Sequence, residues 1–126
     1  MTHSIQLIAF DADDTLWPNI VYFHRSVERI RGILGSYIDP DAAMDEIKAI
    51  ETANLAVFGY GTKGFILSMI EAAIKATSGT VSANDLQEIL SIGKALLTRP
   101  VELMDHAKEV LETLSANHDL MIITNR

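Results

Sequence analysis

The chain has 126 residues, enough for one domain with a hydrophobic core. An apolar share of 48% sets aside a disordered chain, and no apolar run is long enough to cross a bilayer. Ten Lys and Arg against seventeen Asp and Glu give a formal charge of −7, which argues against a general nucleic-acid binder; the lack of cysteine removes disulfides and thiolate chemistry.

Residues 5–11, IQLIAFD, form a short apolar run ending in acid. A run of this length without helical periodicity predicts a strand buried on both faces, as in a parallel sheet. The run has no basic lead-in and no small-residue cleavage site, so it does not read as a secretory signal, and a cytoplasmic location is expected by elimination. Residues 12–18 are turn-like, and Pro18 keeps a helix from running out of the strand.

From Asn19 to Leu97 the pattern is helical. A first helix is predicted over 20–34, with Val21, Val27, Ile30 and Leu34 on one stripe and Gly35 as its stop. Asp39-Pro40 reads as an N-cap followed by proline at the first helical position, opening a helix through about Asn54. After the glycine-rich junction 59–62, the residues Phe65, Ile66, Met69, Ile70, Ala73 and Ile74 repeat at helical spacing until residues 77–79. Ser82 and Asp85 resemble a capping box for a fourth helix over 83–97.

A fifth helix is predicted from residues 98–100 onward, carrying the stripe Val101, Met104, Ala107, Val110, Leu111 and Leu114. A turn at 117–119 leads into a second buried strand over 120–124. Met69, Met104 and Met121 read as core, and His24, His106 and His118 as surface or internally satisfied histidines. There is no internal repeat or low-complexity linker. The order is that of a βαβ crossover with a long helical insertion after its first strand.

Asp11 and Asp13 are two apart, so an extended backbone places them on one side as the chain leaves the sheet. The carboxyl ends of parallel strands are where open α/β sheets bind ligands. Two carboxylates there repel unless a proton or a cation is shared, and Mg²⁺ meets that need with waters and phosphate oxygens as its other ligands. Asp14 reads as a turn or cap residue, and Trp17 as packing beside the insertion.

The segment Phe10-Asp11-Ala12-Asp13-Asp14-Thr15-Leu16 resembles the first motif of the haloacid dehalogenase superfamily, an apolar strand followed by Asp-x-Asp-x-Thr. Ile122-Ile123-Thr124-Asn125 looks like that family's second motif. The helical insert resembles the family's C1 cap. The resemblance implies an α/β fold: a Rossmann-like core, here with two predicted strands, drawn from residues 1–17 and 98–126, and a helical cap over 18–97. It also implies that Asp11 attacks phosphorus to form an aspartyl-phosphate and that Asp13 is the general acid and base. Mg²⁺ would be held at Asp11 and Asp13, and Thr124 with Asn125 would bind the phosphoryl group. Family members that cleave carbon–halogen bonds lack an acid at the position of Asp13, so its presence favours a phosphatase acting on a small phosphorylated metabolite.

The family's third-motif lysine and fourth-motif acidic pair have no counterpart before Arg126, so the chain is expected to lack the C-terminal half of the core. The rival expectation is a non-catalytic chain whose helices serve binding or oligomerisation; the oligomeric state stays open. A phospho-acceptor receiver domain also uses an aspartate and Mg²⁺, but it alternates strands and helices closely, unlike the long helical run here.

Overall fold

The computed structural model describes residues 5–12, 14–100 and 102–123. Seven elements follow one another: β1 (Leu7–Asp11), α1 (Ile20–Leu34), α2 (Pro40–Phe58), α3 (Thr62–Ala76), α4 (Ala83–Thr98), α5 (Ala107–Ser115) and β2 (Asp119–Ile123). They fall into two compact units. One is drawn from the described residues of 1–22 and 100–125, the other from residues 23–99. This is the helix-rich α/β architecture with a helical insertion that the element order predicts.

In the first unit β1 and β2 pair in parallel, with Leu7 opposite Asp119, Ala9 opposite Met121 and Asp11 opposite Ile123. Alternation puts Ile8, Phe10, Leu120 and Ile122 on one face of the sheet and Leu7, Ala9, Met121 and Ile123 on the other. The half-buried strand residues, Ile8, Phe10 and Leu120, all belong to the first face. α5 packs against β2, and Leu111 and Leu114 of its apolar stripe are half-buried. On the other face Leu7 is 53% exposed, Met121 44% and Ile123 57%. The expectation that Met121 is core is therefore corrected: this face of the sheet is open, and on the first face Ile122 is still 52% exposed, whereas parallel sheets are ordinarily buried on both faces.

The fifth helix starts later than its stripe predicts. Residues 102–104 are not helical, and the Met104 amide donates to the Leu16 carbonyl at 2.6 Å, not to a carbonyl one helical turn back. His106 then takes a left-handed φ of 67° just before α5 begins. A tertiary bond to the loop after β1 thus replaces the first turn of the expected helix. Val101 lies outside the described residues.

In the second unit, Ile30, Leu34, Ile47, Met69 and Ile89 are fully buried and form one core with Ala43, Ile50, Ala72, Ala73 and Ile92. Burying each of the large side chains is worth about 1.5–3 kcal/mol. Local signals fix the helix starts. The Asp39 carboxylate accepts from the amides of Asp41 and Ala42 with Pro40 in the first turn, and the Ser82 hydroxyl accepts from the Asp85 amide. α2 runs one turn past its predicted end, to Phe58, where Gly59 at a φ of 69° stops it.

Close packing joins the later helices. A Cβ at Gly93 of α4 would lie 2.3 Å from Ile66 Cγ1 of α3, so only glycine allows that approach. Phe23 and Phe65 meet edge to face at 5.0 Å. Side-chain bonds also link the helices: the Tyr37 hydroxyl donates to Asp85 and accepts from the Ser82 amide, while the Asn54 amide donates to Ser68 and Glu71. No helix among the described residues is long and apolar enough to cross a membrane.

Candidate active site

β1 ends on Asp11, and β2 ends on its register partner Ile123, so the two strands finish at the same level of the sheet. Alternation from the exposed Leu7 and Ala9 carries Asp11 to the uncovered face, and its side chain is open to solvent. The Thr15 hydroxyl donates to Asp11 Oδ2 at 3.0 Å. That bond fixes one carboxylate oxygen; among the described residues no other side-chain partner holds Asp11.

The turn that makes this contact is anchored from beneath. The amides of Thr15 and Leu16 both donate to the Ala12 carbonyl, at 3.2 and 2.9 Å. Ala12 and Leu16 are buried, which roots the turn in the interior while leaving Thr15 at the surface. The role of Thr15 is a detail that the motif resemblance left unassigned. The signal for it was the four-residue separation from Asp11, which a single tight turn brings into reach.

Asp14 is the cap residue its position predicts. Its carboxylate accepts from the amides of Asn19 and Ile20 at the start of α1, at 2.8 to 3.1 Å, and a negative charge there also suits the helix dipole. Its oxygens are thereby committed to backbone amides. Of the other predicted site residues, Asp13, Thr124 and Asn125 lie outside the described residues. The structure therefore places one of the four, Asp11, and shows how that one is held.

Among the described residues no group of three His, Cys, Asp or Glu side chains could hold a metal ion. What Asp11 offers is a single solvent-open carboxylate, a hard oxygen donor at a strand end. That fits Mg²⁺, which is commonly held by one or two carboxylates with water and phosphate oxygens completing the shell. It does not amount to a preformed cage.

His24, His106 and His118 behave as anticipated for satisfied or surface groups. His118 donates through Nδ1 to the Ile5 carbonyl at the opposite end of the sheet, and His106 lies 3.4 Å from Glu109 on α5. His24 belongs to the helical unit, where partial burial pushes the Glu51 carboxyl above the ordinary carboxylate range and His24 pulls it the other way.

No protein-family model matches the sequence, and no curated protein matches it. Among solved structures the chain is similar to a haloacid dehalogenase-like family hydrolase from Xanthomonas campestris, with 39% identity and a TM-score of 0.84. The match covers 94% of this chain and 49% of that one, so the chain spans about half the length of the solved relative.

Proposed function

The chain belongs to the haloacid dehalogenase-like superfamily, and on that premise we propose that it is a Mg²⁺-dependent phosphomonoester hydrolase with Asp11 as nucleophile. The observation that carries this reading is the exposed Asp11 carboxylate at a strand end, with one oxygen held by Thr15. A fixed carboxylate reduces the orientational freedom lost on attack, and covalent catalysis divides a slow hydrolysis into two easier transfers.

In the first transfer, an oxygen of Asp11 forms a bond to phosphorus as the ester oxygen departs. Asp13 gives that oxygen a proton. In the second, Asp13 takes a proton from water, whose oxygen attacks phosphorus and releases Asp11. Thr124 and Asn125 bind the phosphoryl oxygens. Mg²⁺, when bound at Asp11 and Asp13, supplies positive charge against the crowded carboxylates and the phosphate. The substrate class is a small phosphorylated metabolite, and the helical unit of residues 23–99 serves as the cap that selects it.

A second reading has its own support. The uncovered sheet face of Leu7, Met121 and Ile123 favours a role in binding another polypeptide surface. The two readings separate in one assay. Hydrolysis of p-nitrophenyl phosphate by the purified chain is expected to require Mg²⁺ and to vanish in Asp11→Asn. Turnover that survives that substitution removes Asp11 from the mechanism, and a folded chain with no turnover supports the binding reading.

A further inference from the structure

Asp14 occupies a backbone conformation that L-residues rarely adopt. Its φ is 61°, a left-handed value that glycine and asparagine adopt more readily than other residues. A cap alone does not require this, since Asp39 and Ser82 cap their helices from ordinary negative φ values. What sets Asp14 apart is the number of bonds that converge on it. Its amide donates to the Trp17 carbonyl at 2.7 Å, closing the loop on itself. Its carboxylate holds the amides of both Asn19 and Ile20. The next residue in the chain is Thr15, whose hydroxyl donates to Asp11.

We infer that Asp14 is a positioning residue: its left-handed backbone and its grip on the start of α1 together aim Thr15, and through Thr15 the carboxylate of Asp11. The inference rests on the reading of Asp11 as a nucleophile for its catalytic consequence, but the geometry it asserts can be measured separately. Leu16 fixes the far side of the turn, being buried and bonded through its carbonyl to the Met104 amide. Thr15 is thus held between two anchors, and Asp14 is the one a side-chain substitution can release.

Three variants separate its two contributions. Asp14→Gly removes the carboxylate while easing the backbone, Asp14→Ala removes the carboxylate and keeps the strain, and Asp14→Asn keeps an acceptor oxygen and tolerates positive φ. The primary readout is the carboxyl ¹³C resonance of Asp11, identified by its loss in Asp11→Asn. Thr15→Val gives the direction in which it moves when the hydroxyl is absent. Asp14→Gly and Asp14→Ala are expected to move it in that direction, with Asp14→Asn restoring it. In the p-nitrophenyl phosphate assay, kcat is expected to fall about 10- to 100-fold in Asp14→Gly, with KM within about twofold.

Amide exchange at Asn19 and Ile20 should quicken about tenfold in the same variant, and this alone is what a merely structural cap predicts. Asp14→Gly keeps the test open if Asp14→Ala does not fold. An unmoved Asp11 resonance in Asp14→Gly overturns the inference, as does unchanged kcat in an active chain. If the resonances move as described but the unmodified chain has no turnover, the hydrolase reading falls and the positioning role stands.

Discussion

In the helical unit Ile47, Met69 and Ala73 are shut away from solvent, whereas in the strand unit Leu7, Met121 and Ile123 stand largely exposed. The helices bury their apolar stripes against one another, and side-chain bonds such as Tyr37 to Asp85 and Asn54 to Ser68 link them. The strands carry the candidate chemistry on a sheet with one open face and the other only partly covered. The buried core and the proposed nucleophile therefore lie in different stretches of the sequence, and substitutions should sort accordingly.

The largest stability effect is expected from Ile47→Ala. Removing a fully buried isoleucine from the helical core should cost about 2–5 kcal/mol in denaturant unfolding. Gly93→Ala comes next: its Cβ would meet the body of Ile66 and not a flexible tip, and overpacking of this kind costs about 1–3 kcal/mol. Ser82→Ala removes a helix cap and should cost about 1 kcal/mol, read in the same experiment.

Glu51 gives a smaller effect with a definite sign. Burial raises its carboxyl in the folded state, so the folded chain binds the proton more tightly than the unfolded one. Its contribution is most favourable below the unfolded value and is lost as pH rises through the raised folded value. His24 opposes the shift while protonated and so narrows the window. Glu51→Gln should flatten the pH dependence of the melting temperature over that interval. The smallest change is expected on the exposed sheet face, where Met121→Thr should alter stability by no more than about 0.5 kcal/mol. A large loss there would mean that this face is covered in solution, and the contrast between the two units would fail.

What could be read from the residues alone follows the range of the interactions involved. Asp39-Pro40 and Ser82 with Asp85 mark helix starts through bonds spanning two or three residues, and both occur as anticipated. Asp11 as the end of a strand was legible from the apolar run before it, and Asp14 as a turn or cap residue from its place between that strand and the next helix. The late start of α5 was not, because the bond from the Met104 amide to Leu16 spans most of the chain and leaves no periodic trace. Nor was the exposure of Met121 and Ile123, since an apolar strand looks the same whether or not a second layer covers it. The close approach at Gly93 depends on Ile66 in another helix, which spacing within α4 does not reveal.

The proposed nucleophile is tested most directly by trapping its acyl-phosphate. The chain is incubated with Mg²⁺ and a small phosphomonoester, quenched in acid and reduced with borohydride, which converts a phosphorylated aspartate to homoserine. Peptide mass mapping is expected to find homoserine at position 11 and at no other aspartate. Turnover without that product, or homoserine formed at a different residue, would contradict the assignment of Asp11.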